Sequence, residues 1–227
     1  MALVAGLAAV ERKGFLQAKL SRPIALGPLT GWALGDLQGG LLVAAPLELF
    51  WLGAVNLGAA LPVHEALGTA AIAGGAILSG RALGTGTTPE AAVLSVLICA
   101  PVALLGRRAD RLVEAWNERL YARAERALAA GDADAAARVN LHGLALPFAI
   151  SFVLAPLGAA LGAAVIAAVL VNAPGSAHLL ALGWVAFAGL ACASGAKALR
   201  ASRAPAWYFG ALAAGLLAVA AAAMGTP

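Results

Sequence analysis

Fifty-eight consecutive residues, Val139 to Ala196, contain no Asp, Glu, Lys or Arg. About 20 apolar residues suffice for one helical crossing of a bilayer core. A water-soluble domain carries roughly one charged residue in four. A run of this length therefore fits two membrane crossings and no soluble core. The remainder agrees: of 227 residues, 62% are apolar and 11% charged, with a mean hydropathy of +0.90. The apolar runs are long and uniform, whereas a membrane β-barrel alternates in short segments. The expected fold is an all-α polytopic integral membrane protein, with residues 1–227 forming a single membrane domain.

At the N-terminus, MALVAGLAAVERKGFLQAKL places Arg12 and Lys13 after the apolar stretch. A secretory signal has its positive charge first, so residues 1–10 read as a short helix retained in the mature chain. Cys99 and Cys192 lie inside apolar runs and read as small core residues, without metal spacing or a disulfide framework. The net charge of +4 comes from basic residues interleaved with acids at segment edges, which points to membrane topology and away from nucleic acid.

Residues 107–138 hold 13 of the 26 formal charges. Leu112, Trp116, Leu120 and Ala124 recur there at four-residue intervals, predicting an amphipathic charged helix. Arg residues within one turn of Glu114 and Glu118 suit a solvated face. Gly131 then reads as a helix stop and Asp132 as the cap of a following helix. The segment is expected to lie along a membrane surface or a partner subunit, or to be a plain solvated hairpin. The positive-inside rule puts it on the cytoplasmic side together with Lys197, Arg200 and Arg203. Two crossings between them make that shared side self-consistent.

The stretch GWALGDLQGGLLVAAPLELFWLGAVNLGAA, residues 31–60, is apolar yet contains Asp36, Gln38, Glu48 and Asn56. Ionisable groups at membrane depth face a cavity, a partner or a transported substrate. Pro23, Pro28, Pro46 and Pro62 punctuate the same region. Broken backbone is tolerated in a membrane only where it is buried in protein or lines a water-filled cavity. Residues 23–63 are thus expected to form broken or re-entrant helices, the construction many transporters use for substrate sites. Gly27, Gly31, Gly35 and Gly39, four apart, read as one glycine stripe along a helix, permitting close packing.

Glu48, in PLELFW, has no nearby cation in sequence and must be paired, protonated or open to a cavity. It is the leading candidate for a substrate-hydroxyl acceptor, with pairing to a partner-subunit Lys or Arg as the structural alternative. Asn56 offers both donors and an acceptor to sugar-like hydroxyls, or bridges helices. Asp36 follows Gly35 and suits either a half-helix cap or a site group, with Gln38 beside it. His64, after Pro62, is the nearest histidine; His142 and His178 sit at segment edges, where structural hydrogen bonding is the plainer role. Ser79 and Ser194 each precede a glycine, but Ile77 and Cys192 stand where an intramembrane serine protease would have glycine. No catalytic residue, metal site or cofactor motif is expected.

The opening stretch resembles the signature of the membrane IIC subunit of the mannose–fructose–sorbose family of bacterial phosphoenolpyruvate-dependent sugar phosphotransferase systems. The matching residues are Gly31, Gly35-Asp36, Gly40, Leu41-Leu42 and Leu47-Glu48, then Asn56-Leu57-Gly58-Ala59-Ala60, with Arg22-Pro23 upstream. AAGDADAAARVNLHGLAL resembles the family's alanine-rich helix and histidine-led span, giving His142. APAWYFGALAAG resembles its segment before the last helix, with Trp207, Tyr208, Phe209 and Gly210. Pro46 and His64-Glu65 depart from the pattern, and the polar C-terminal tail is missing.

The resemblance implies a sugar path without the phosphoryl chemistry, in the bacterial inner membrane. It implies a IID membrane partner, a trimer of IIC–IID pairs, and cytoplasmic IIA and IIB subunits. A hexose would bind between broken helices and be phosphorylated as it leaves toward IIB. Glu48 would accept sugar hydroxyls, Asn56 would orient them, and Asp36 with Gln38 would shape the half-helix end, with His64 nearby. The alternatives are a regulatory or scaffolding protein of the same fold without sugar flux, or an unrelated proton- or cation-coupled transporter using Asp36 and Glu48.

Overall fold

The computed structural model describes residues 1–13, 18–52, 64–198, 209, 210 and 213. Its described elements are helical, and four helices are long and apolar enough to cross a membrane. In chain order they are α1 (Ala2–Arg12), α2 (Pro23–Leu34), α3 (Leu37–Trp51), α4 (Glu65–Leu83), α5 (Pro89–Ala129), α6 (Ala133–His142), α7 (Ala145–Asn172), a 3₁₀ turn at Pro174–Ser176, and α8 (Ala177–Ala198). The all-α membrane fold expected from the sequence is the one observed.

The innermost helix is α4, whose sequence EALGTAAIAGGAILSGRAL is buried on nearly every side. Its small residues explain the position, because lipid gives apolar helices little reason to associate except through close van der Waals packing. A Cβ on Gly68 would meet Ala103 of α5 and the ring of Trp51, and one on Gly75 would meet Cys99 and Ser95. The fully buried Ser95 hydroxyl donates to the Ile72 carbonyl across the α4–α5 contact. Cys99 packs against Gly162 of α7, the small core role its surroundings suggested. Exposed leucines such as Leu97, Leu104, Leu161 and Leu190 face outward.

α2 and α3 have 12 and 15 residues, so they extend only about 18 and 22 Å. Each is short of the roughly 30 Å of a bilayer core. Together they form the broken hairpin predicted for the N-terminal third. The four-spaced glycines do not share one helix. Gly35 ends α2 in the left-handed region (φ 79) and Asp36 starts α3, so Gly27 and Gly31 face Gly40 across the hairpin. A Cβ on Gly27 would strike Ala44, and one on Gly40 would strike the Gly27 carbonyl. Pro28 and Pro46 sit inside the helices, and the chain reverses at the Gly35–Asp36 stop–start pair.

The charged segment also differs in detail from its sequence reading. Residues 107–129 continue α5 without a break, making a helix of 41 residues, about 61 Å long. Gly131 (φ 80) then turns the chain and Asp132 caps α6 by accepting from the Ala135 N–H at 2.8 Å. The face packed inward is Ala109, Val113 and Leu120, whereas Leu112 and Trp116 are 64% and 40% exposed. Four-residue steps rotate about 40° each around a helix, so the Leu112–Trp116–Leu120–Ala124 stripe begins off the contact and reaches it only at Leu120.

Candidate functional site

The hairpin is fastened at both ends, and the predicted polar residues divide between the fastenings. At its open end Arg22 precedes α2 with extended backbone, and Glu48 lies three residues before the end of α3. Arg22 Nη2 pairs with Glu48 Oε1 at 2.6 Å, and Nε donates to the same oxygen at 3.0 Å. The other oxygen accepts the Ile24 N–H at 3.2 Å, which satisfies one of the orphan donors at the start of α2. The partner of Glu48 is thus in this chain, 26 residues upstream. Arg22 Nη1 also lies 3.7 Å from Glu65 Oε2, so one guanidinium serves two carboxylates. Glu65 Oε2 is buried and has no hydrogen-bond partner.

Beside this triad, His64 caps α4: its Nδ1 accepts the Leu67 N–H at 3.1 Å, and its backbone N–H donates to the Ala103 carbonyl at 3.3 Å. The ring is backed by Gly106, where any Cβ would collide with it. Burial and the nearby Arg12 push its pKa down to about 4, although Asp110 pulls the other way. Asp110, 2% exposed, pairs with Arg12 at 3.0 Å and Lys13 at 3.1 Å, tying the end of α1 to α5. Glu11 holds the turn before α2 through the Lys19 and Ser21 N–H groups at 2.6 and 2.9 Å.

Asp36 lies at the opposite end. It caps α3 through the Gly39 N–H at 2.8 Å and accepts the Thr87 hydroxyl at 2.6 Å from the α4–α5 turn. Arg81 of α4 donates to the Leu34 carbonyl, closing the same corner. Gln38 is exposed beside it. Asp36 and Glu48 are twelve positions apart along α3, about 18 Å, so these two do not line one site. Glu48 and His64 share an end. Asn56, Trp207 and Tyr208 lie outside the described residues. Ser79 and Ser194 donate to the Ala76 and Phe50 carbonyls, at 2.9 Å each. Among the described residues no three metal-ligating side chains converge.

The open-end cluster of Arg22, Glu48, Glu65 and His64 can donate and accept hydrogen bonds at the edge of an apolar bundle, the chemistry a polyol requires. Arg22 entered the sequence reading only as part of a motif. Glu65 entered as a departure from one. Neither spacing nor periodicity marks two residues 43 apart as neighbours.

Comparison with known proteins fixes the family. Residues 1–195 match the family described as PTS system sorbose-specific IIC component. The chain belongs to this IIC family. A curated relative, the putative N-acetylgalactosamine permease IIC component 2 of Escherichia coli (strain K12), is 43% identical over 74 residues, which are 33% of this chain and 51% of that protein. The chain thus spans about half the length of that relative in the match. Two solved structures share the fold over 98% of this chain and 90% of theirs. One, described only as a membrane protein, has a TM-score of 0.62 at 20% identity. The other, the mannose transporter ManYZ in complex with microcin E492, has 0.56 at 21%.

Proposed function

We propose that this IIC chain is the sugar-translocating membrane subunit of a mannose-family phosphotransferase system. It works with a IID membrane partner in the bacterial inner membrane and passes a hexose to a cytoplasmic IIB subunit for phosphorylation. The observation that carries the reading is the open end of the α2–α3 hairpin, where Arg22 is shared by Glu48 and Glu65 and the buried Glu65 Oε2 faces the guanidinium at 3.7 Å without a hydrogen-bond donor. A half-satisfied ionic cluster at a helix break is costly unless another group completes it. Sugar hydroxyls supply the missing donors. On this reading Glu48 and Glu65 accept them, Asn56 orients the ring, and His64 keeps the entry to α4 in place. Asp36 holds the far corner of the hairpin, with Gln38 beside it, and does not touch sugar directly.

Positive-inside reasoning assigns the 107–138 segment and Lys197 to the cytoplasmic side. The Glu48 cluster lies toward that side, since His64 and Asp110 neighbour it. The test is thermal stabilisation of the chain, co-purified with its IID partner, by mannose, glucose, fructose, sorbose and amino sugars. One sugar should stabilise the wild-type complex and lose its effect in Glu48→Gln, which keeps the side-chain shape and one acceptor oxygen for Arg22 but loses the charge and the second acceptor. No stabilisation by any sugar, with a folded complex, would overturn the transport reading in favour of a regulatory relative.

A further inference from the structure

Between Glu90 and Arg107, α5 has no charged residue. The 18 residues from Pro89 to Gly106 extend about 27 Å, close to the roughly 30 Å of a bilayer core. Leu97 and Leu104 on this stretch are exposed and face outward. Directly beyond it come Arg107, Arg108 and Arg111, all exposed, so Arg107 stands at the level of the lipid headgroups. At 100° per residue, Arg111, Leu104, Leu97 and Arg108 fall within an arc of about 60°, with Arg107 about 40° outside it. The three arginines therefore continue the outward apolar side of the helix across the membrane boundary.

Little within the chain neutralises them. Asp110, between them in sequence, lies on the buried side of α5 with Gly106, Ala109 and Val113. It is already paired with Arg12 and Lys13. Glu114, one turn beyond Arg111, offsets at most one of the three charges, and Glu118 is a further turn out. Arg108 has no acidic residue three or four positions away in either direction. Among the described residues none of the three arginines forms an ion pair.

Depth selects the counter-ion. The headgroup layer adds only about 5–8 Å to each side of the core, and Arg107 to Arg111 spans about 6 Å. Arg119, twelve positions beyond Arg107, stands about 18 Å away along the helix, out of reach. A guanidinium binds phosphate oxygens in bidentate fashion. Anionic headgroups are concentrated in the cytoplasmic leaflet, the side to which the positive-inside rule assigns this segment. A zwitterionic lipid covers the leucines equally well but brings no net charge to the arginines.

We propose that Arg107, Arg108 and Arg111 form a site for the phosphate of an anionic phospholipid, whose acyl chains lie along the Leu97–Leu104 side of α5. Bound there, the lipid holds the base of the charged α5 extension at the membrane surface. The site concerns lipid and not sugar, so it stands or falls independently of the transport reading.

The test uses the full chain co-purified with its membrane partner, in nanodiscs of phosphatidylcholine alone or mixed with phosphatidylglycerol. Phosphatidylglycerol should raise the wild-type melting temperature, and native mass spectrometry should find it retained in preference to phosphatidylcholine. Arg107→Gln/Arg108→Gln/Arg111→Gln should lose the increment and retain phosphatidylglycerol at least about tenfold more weakly, since each arginine near the surface contributes about fivefold. Lysine at the same three positions should keep most of the effect. Arg119→Gln/Arg123→Gln/Arg126→Gln removes as much charge beyond the headgroups and should keep all of it. Should the first triple variant not fold, Arg108→Gln alone, about fivefold weaker, decides the same question. The proposal is overturned if wild type shows no preference for phosphatidylglycerol, or if the proximal and distal variants lose it equally. It is also overturned if inorganic phosphate reproduces the stabilisation, or if the proximal substitutions release the membrane partner at every lipid composition.

Discussion

Arg22 and Glu48 close the open end of the α2–α3 hairpin through a 2.6 Å ion pair, with Glu65 3.7 Å from the same guanidinium. The side chains are 29% and 18% exposed, which puts the pair between surface bridges of little value and buried ones whose disruption costs several kcal/mol. Arg22→Ala leaves two carboxylates facing one another and is expected to destabilise the protein by about 1–3 kcal/mol. Glu48→Ala should cost less. The double variant should cost less than the sum, as measured by denaturant unfolding in a mixed-detergent system. Additive losses would mean that the pair is not coupled.

At the other end of α3, Asp36 has two separable roles. Asp36→Ala loses the helix cap and the Thr87 hydroxyl bond together, for an expected loss of about 1–2 kcal/mol. Asp36→Asn preserves the cap and should lose less. Thr87→Val removes only the tertiary bond, so it should add little on top of Asp36→Ala. If the Asp36→Asn and Asp36→Ala losses are equal, the Thr87 contact carries the effect rather than the cap.

Much of this architecture was legible because hydropathy reports membrane crossings directly, as the charge-free run from Val139 to Ala196 did for α7 and α8. The hairpin was legible in kind and misplaced in detail. Four-residue glycine spacing suggested a continuous helix, while Gly35-Asp36 carried the stronger signal of a left-handed stop followed by a side-chain cap. The partner of Glu48 was not legible, since periodicity reports which face a residue occupies and not which distant residue meets it. The Leu112 stripe was legible as a stripe but not as an internal contact: steps of four drift, so Ala109, Val113 and Leu120 are buried within this chain while Leu112 and Trp116 stay exposed.

The hairpin packs by backbone proximity, which makes one glycine far less replaceable than another. A Cβ on Gly40 would strike the Gly27 carbonyl and lie 3.0 Å from Gly31 Cα, both backbone atoms that cannot rotate away. Gly40→Ala is expected to destabilise by about 1–3 kcal/mol through overpacking. Gly189 of α8 has open space where a methyl group would stand, so Gly189→Ala should be neutral or stabilising by up to about 1 kcal/mol. Melting temperatures of the two variants in one detergent would decide. A tolerated Gly40→Ala would mean the helices can part at the crossing.

His64 gives the bundle an acid-sensitive joint. Its folded-state pKa, about 4, lies below the ordinary histidine value because protonation would place a charge in a buried site already facing Arg12, with Lys13 beyond and Asp110 only partly compensating. Between pH 6.5 and 4 the unfolded chain therefore binds more protons at this position than the folded one. The contribution of neutral His64 is fully present above pH 6.5 and is lost as pH falls through that window. Wild-type melting temperature should decline across the window. His64→Asn, whose side-chain oxygen can still accept the Leu67 N–H but does not titrate there, should flatten the decline. An identical pH profile in both proteins would place the acid sensitivity elsewhere, with the Asp110 cluster the next group to vary.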